Sequence, residues 1–197
     1  MYDFFEKISR YYIILASRSP RRQQLLHELG LHFEIMLKET EESYPSDLLP
    51  AQIALYLAEL KSAAFTDTEL PDNFLLITAD TTVCLNGNIL GKPDNFDHAR
   101  QILQQLSGNK HTVITGVSLR TRNRKHSFYA ESDVYFRKLS DDEICYYIEK
   151  YQPYDKAGAY GVQEWIGYTA IEKINGSFYN VMGLPVQKLY VELQSFC

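Results

Sequence analysis

Residues 13–30 read IILASRSPRRQQLLHELG, which is an apolar run, a polar turn and a helix in direct succession. The β-branched and aliphatic residues at 13–16 predict a short buried strand. Ser19 is a good N-cap and Pro20 suits the first helical position. Leu25, Leu26 and Leu29 then repeat on one face until Gly30 stops the helix. Strand followed at once by helix is the unit from which α/β sheets are built.

The same alternation continues outward. Residues 33–37 read as a second strand, and the acidic loop ETEESYPSD (39–47) follows. A helix over about 51–65 carries the apolar stripe Ile53, Ala54, Leu57, Ala58, Ala64 and Phe65, and Lys61 falls on that stripe. FLLITAD (74–80) is a strand ending in a carboxylate, and VCLNGNIL (83–90) is a hairpin around Asn86-Gly87. A helix at about 97–106 precedes two long strands, about 111–121 and 125–137, joined by the polar turn RTRNRK. Ser140 and Glu143 form a capping box for a helix bearing Ile144, Tyr147, Ile148 and Tyr151. The loop DKAGAYGVQEWIG (155–167), a strand at 169–174, a Gly-rich turn and a helix from Pro185 complete the chain. The fold class is therefore α/β, with the adjacent long strands predicting a mixed sheet flanked by helices.

Composition narrows the function classes. The chain has 197 residues, 45% of them hydrophobic and 23% charged, which excludes a disordered polymer and supplies a core. Its net charge of −5 is a poor match for a broad duplex-binding face, so no stable nucleic-acid complex is expected. Cys84, Cys145 and Cys197 are dispersed and odd in number, so neither a disulfide framework nor a zinc site is expected. MYDFFEKISRYY mixes acidic and aromatic residues without the apolar core of a secretory signal, and no apolar run approaches bilayer length. The expectation is a cytoplasmic enzyme or binding domain without membrane attachment. A homodimer is a reasonable expectation for such an enzyme.

Five constellations carry chemistry. Ser17, Arg18, Ser19, Pro20, Arg21 and Arg22 lie where a strand meets a helix N-terminus, a natural anion site. Arginine forks match phosphate oxygens in bidentate fashion. The ordinary alternative, a capped helix with solvated arginines, accounts for Ser19 and Pro20 but less well for Arg22, which leans towards the apolar face. The motif is not a P-loop, because GxxxxGK[ST] is missing. Lys61 is either a lysine snorkelling from the stripe or a cation aimed at a phosphate. Asp80, followed by Thr81 and Thr82, sits at a strand end, where a carboxylate can hold a divalent metal or accept a proton. Lys92, in GKP, is a further candidate phosphate contact, though taken alone it reads better as a surface turn lysine. Glu39, Glu41 and Glu42 are a solvated run unless a phosphate site lies beside them, where magnesium would recruit a carboxylate. In KAGAYGVQ (156–163) the small residues allow close backbone approach, and Gln163 offers both a donor and an acceptor to a base edge. The five histidines show no metal-ligand spacing. Cations for phosphate, carboxylates for a metal and an amide for a base describe a nucleoside-phosphate enzyme or binder.

The motifs ILASRSPRR, LAELKSAAF, TADTTV, LGKP, LQQLSG, TGV, DKAGAYGVQ and INGSFYNVMGLP, in that order, resemble the Maf family over nearly the whole chain. The resemblance implies a single domain over 1–197 with residues 1–12 as an N-terminal extension. It implies an elongated α/β fold of two lobes around a cleft, related to inosine triphosphatases. It also implies a house-cleaning nucleoside triphosphate pyrophosphatase, a family linked to septum inhibition. Such enzymes cleave between the α- and β-phosphates with a divalent cation, magnesium or manganese.

By the same resemblance Asp80 is the proton acceptor, and Ser17, Ser19, Arg22, Lys61 and Lys92 line the triphosphate site. Glu42 matches a family acid and joins Asp80 as a metal ligand. Proton acceptor and metal ligand are competing roles for Asp80, and the sequence does not choose between them. Arg21, Thr81 and Gln163 match the branch that acts on dTTP and UTP. A 7-methyl-GTP or broad-range pyrophosphatase, and a non-catalytic nucleotide-binding regulator of cell division, are the rival readings. Where the family usually continues Gly-x-Gly after the glutamine, this chain reads Glu164-Trp165-Ile166-Gly167.

Overall fold

A computed structural model describes residues 2–196. The opening strand and helix are β1 (Tyr12–Leu15) and α2 (Pro20–Glu28), preceded by α1 (Tyr2–Ile8). The second strand is short, β2 (Glu34–Ile35), and α3 runs over Pro50–Ala63. The remaining strands are β3 (Phe74–Leu85), β4 (Asn88–Leu90), β5 (Lys110–Arg120), β6 (Lys125–Phe136) and β7 (Ile171–Asn175). The remaining helices are α4 (Phe96–Leu106), α5 (Asp141–Tyr151), α6 (Trp165–Ala170), α7 (Phe178–Met182) and α8 (Val186–Phe196). The strands pair in the order β2-β1-β3-β5-β6-β7, with β4 on β3. β1 is parallel to β2 and β3, whereas β3/β4 and β6/β7 are antiparallel, so the sheet is mixed. Among the described residues no helix is long and apolar enough to cross a membrane.

The chain divides into two compact units. The first holds residues 1–80, 115–130 and 183–197, and the second holds 81–114 and 131–182. In the first, Ile14, Leu15, Leu26, Ala54, Ala58, Phe74, Leu75, Leu76 and Ile77 are fully buried. The TGV motif belongs here: a Cβ on Gly116 would lie 2.3 Å from the Ala54 carbonyl oxygen of α3, so only glycine permits this approach. Within the segment read as an extension, α1 buries Phe4 and sets its ring 4.7 Å from that of Tyr190 on α8. In the second unit Leu103, Leu106, Val134, Tyr147 and Ile148 are fully buried, and α4 packs on α5. The Ser140–Glu143 capping box forms as expected, with Ser140 Oγ accepting the Glu143 N–H at 3.3 Å.

Three expectations are corrected. FLLITAD does not end at Asp80, because β3 continues through the next residues to Leu85, the first arm of the hairpin. The strand expected at 169–174 begins at Ile171, because residues 165–170 form α6, whose tight turn needs Gly167. A Cβ on Gly167 would lie 1.8 Å from the Val162 carbonyl oxygen. The Gly-rich turn before the last helix contains a further short helix, α7. Cys84 and Cys145 are free thiols, and Cys197 lies outside the described residues.

Candidate active site

The loop between β1 and α2 is locally self-sufficient. Ser17 Oγ accepts the Ser19 N–H at 3.2 Å, and Ser19 Oγ caps α2 by accepting the Arg22 N–H at 3.5 Å. Arg18 and Glu39 form an ion pair at 3.6 Å with both side chains largely in water, so neither is held in place. Arg22 is different. Its Nε donates to the Gly183 carbonyl at 2.7 Å and its Nη1 to the Ala79 carbonyl at 2.8 Å. One guanidinium thus ties α2 to the main chain beside Asp80 and to the MGLP motif. Desolvation pulls Arg22 below the usual arginine pKa; Asp80 and Glu42 oppose that shift and Arg21 adds to it. The four charges therefore share one electrostatic neighbourhood.

β1 pairs with β3 only as far as Leu15 opposite Ile77, so Asp80 lies beyond the C-terminal end of β1. That is the edge of a parallel pair where α/β proteins place ligands. Asp80 is buried, and its Oδ1 accepts from Lys61 Nζ at 2.5 Å. Lys61 reaches it from the last turn of α3, and the same ammonium meets Glu42 Oε1 at 2.8 Å. The side chains of Lys61 and Asp80 are 18% and 10% exposed, that of Glu42 41%. Lys61 is therefore neither a snorkelling lysine nor a free cation: it joins two carboxylates. In the first unit the structure brings together Ser17, Ser19, Arg22, Glu42, Lys61 and Asp80, with the half-buried Arg21 in electrostatic reach of Arg22. Glu39 and Glu41 remain in solvent. Among the described residues no three His, Cys, Asp or Glu converge as a preformed metal cluster.

Thr81, Lys92 and Gln163 belong to the second unit. Thr81 is half-buried on β3 and Lys92 is exposed just after β4. Gly158 joins the GKP and KAGAYG motifs: its N–H donates to the Gly91 carbonyl at 3.1 Å. It has φ +70, and a Cβ there would lie 2.9 Å from Val83 Cγ2, so glycine is required twice over. Gln163 is half-buried, and its Oε1 is buried without a hydrogen-bond partner among the described residues.

Some polar pairings of the second unit left no sign in the sequence. His111 is buried on β5, with Nε2 2.8 Å from the Tyr160 hydroxyl and its ring edge-on to Tyr160 and Phe136. Burial pushes its pKa down to about 4, so it is neutral at physiological pH. Tyr147, Lys156 and Glu164 form a second polar cluster. The small residues of KAGAYG were the one available hint that this segment is closely approached.

The fold defines the class first. It is that of the Ham1 protein of Staphylococcus aureus, matched with a TM-score of 0.54 over 94% of this chain and 100% of that one. The two are 15% identical, so the likeness is one of fold alone. The model of the Maf-like protein family matches residues 12–196, and the chain belongs to that family. It is 54% identical over 190 residues to the dTTP/UTP pyrophosphatase of Phocaeicola vulgatus, covering 96% of this chain and 98% of that protein. It is 52% identical over 192 residues to the dTTP/UTP pyrophosphatase of Parabacteroides distasonis, covering 97% and 99%.

Proposed function

We propose that this chain hydrolyses dTTP and UTP to the nucleoside monophosphate and pyrophosphate. The observation that carries the reading is the pair of carboxylates, Asp80 and Glu42, meeting on Lys61 at the end of β1. Relatives of about half identity that bear the name dTTP/UTP pyrophosphatase support it.

The residues suit a divalent cation. Two carboxylates already share one cationic partner, and magnesium takes one or two carboxylates and fills its remaining positions with phosphate oxygens and water. Asp80 and Glu42 would hold the ion, which when bound polarises the scissile phosphate. The chain's own groups do the rest. Ser17 and Ser19 use their oxygens as acceptors from main-chain N–H groups, which leaves each hydroxyl proton to donate to a phosphate oxygen. The positive end of α2 and the charges of Arg21, Arg22, Lys61 and Lys92 offset the triphosphate charge and the charge that grows on the leaving pyrophosphate. Arg22, fixed by two carbonyls, also keeps the main chain beside Asp80 in place. Asp80 serves in one of two competing ways, as a ligand that holds the ion with Glu42 or, unligated, as the acceptor of the attacking water's proton. Arg21, Thr81 and Gln163 set base preference, with the Gln163 amide complementary to the donor and acceptors of a uracil or thymine edge.

Pyrophosphate release from a panel containing dTTP, UTP, CTP, GTP and 7-methyl-GTP, with magnesium or manganese, tests the reading. Release is expected chiefly from dTTP and UTP. Faster release from 7-methyl-GTP would overturn the substrate assignment. Tight nucleotide binding without release under any metal would overturn the enzyme.

A further inference from the structure

A buried polar cluster in the second unit takes no part in the chemistry just described. Tyr147, on α5, is fully buried. Its hydroxyl donates to Glu164 Oε2 and accepts the Gly161 N–H at 3.0 Å. Lys156 Nζ meets Glu164 Oε1 at 3.3 Å and Asp155 Oδ1 at 2.7 Å, and its side chain is 8% exposed. Both oxygens of Glu164 are thus engaged, and one phenol oxygen serves as donor and acceptor at once. Gly161 makes room for this: a Cβ there would lie 2.7 Å from the Glu164 carboxyl carbon. Burial first, then the hydrogen bond to Glu164, holds the Tyr147 pKa far above the ordinary phenol value, so the hydroxyl stays a donor.

Buried ion pairs and polar networks are an inefficient way to gain stability, since apolar residues of the same shape serve as well or better. What a fully satisfied network supplies is a single arrangement. Here that arrangement brackets one residue. Gly161 and Glu164 are both pinned to Tyr147, and Gln163 lies between them with its Oε1 buried and unpartnered among the described residues. The amide oxygen of Gln163 is the acceptor that the N3–H of uracil or thymine needs, whereas the N3 of cytosine needs a donor, so the placing of this side chain relative to the base bears on how strongly the two are told apart.

We propose that Tyr147, Glu164 and Lys156 are positioning residues for Gln163, fixing the main chain from which its amide reaches the base and so strengthening the preference for uracil and thymine over cytosine. The inference rests on the pyrophosphatase reading of the site and deepens it. Glu164 becomes part of the base-selecting apparatus of this chain without touching the base. Trp165 packs edge-on against Tyr146, with the ring centres 5.0 Å apart.

The test compares kcat and KM for UTP and CTP, together with inhibition by inorganic pyrophosphate, in the full-length protein. Tyr147→Phe removes one oxygen and keeps the ring stacked on Tyr151. The UTP-over-CTP ratio of kcat/KM should fall at least about fivefold, the equivalent of one neutral hydrogen bond, mainly through a higher KM for UTP. Inhibition by pyrophosphate should not change. Glu164→Gln, which keeps an acceptor for Tyr147, should retain more of the ratio than Glu164→Ala, and this pair decides the matter if Tyr147→Phe does not fold. An unchanged ratio in a folded variant, or an equal loss for every nucleotide accompanied by weaker pyrophosphate inhibition, overturns the proposal alone. A wild-type protein that releases pyrophosphate from no nucleotide overturns both it and the reading beneath it.

Discussion

Replacing Lys61 by methionine removes the cation that Asp80 and Glu42 share. Methionine matches lysine in length and helix propensity, so α3 itself is little affected. What disappears is an ammonium 2.5 Å from Asp80 Oδ1 and 2.8 Å from Glu42 Oε1. Asp80, with a side chain 10% exposed, loses its counter-charge in a poorly hydrated place, at a cost of about 1–3 kcal/mol. Glu42, 41% exposed, turns to water and adds little, since exposed pairs contribute about 0–1 kcal/mol. A net loss of about 2 kcal/mol lowers the Tm by about 4–8 °C in a chain of this size. Magnesium should restore more stability to Lys61→Met than to the wild type, because the variant's two carboxylates are left without their shared cation. Pyrophosphate release should fall about 10²–10³-fold, as for other preorganised charges at a phosphoryl centre. Thermal denaturation by circular dichroism with and without magnesium, alongside the pyrophosphate assay, provides the readouts. A variant with wild-type Tm and wild-type rate would refute the shared-cation reasoning. A lowered Tm with the wild-type response to magnesium would refute the overlap of the lysine and metal positions.

Asp80→Asn keeps an acceptor for Lys61 but cannot take a proton; turnover should be abolished with the Tm nearly unchanged, and a wild-type rate would remove Asp80 from the mechanism. Gly116→Ala forces a Cβ to within 2.3 Å of a main-chain oxygen of α3, so denaturant unfolding should show a loss of about 2–3 kcal/mol. His111, held down to about 4 by burial, binds fewer protons folded than unfolded. Its contribution to stability is therefore full above the unfolded value near 6.5 and is lost as pH falls from there to 4. The loss amounts to about 3 kcal/mol at one pKa unit per 1.4 kcal/mol. Urea midpoints across that window should fall more steeply for the wild type than for His111→Phe, and parallel curves would assign the slope to other groups.

Much of this molecule is legible residue by residue. The strand–turn–helix at 13–30, the cap at Ser19 and the capping box at Ser140–Glu143 are local matters, settled by hydrogen bonds within a few residues. The Asn86-Gly87 hairpin forms for the same reason: Asn86 and Gly87 both adopt positive φ. Less regular segments were harder. α6 and α7 are too short to show a helical period, and β3 runs on past Asp80 because its edge partner changes from β1 to β4. α1 is equally hard to read, because its aromatics show no pattern until Phe4 meets Tyr190.

Local pattern establishes the fold class and the kinds of charge available: arginines at a helix start, a lysine on an apolar stripe, carboxylates in a loop and a strand. Which of them meet is set by the packed fold. Lys61 becomes the partner of Asp80 and Glu42, Arg22 spends two donors on the carbonyls of Ala79 and Gly183, and Tyr147 closes on Gly161 and Glu164. The physical reason is the range of the forces. Caps and periodicities act between neighbours and leave a pattern along the chain. A hydrogen bond to a distant main-chain carbonyl selects no side chain at the acceptor, so it leaves no trace in the sequence until the backbone is in place.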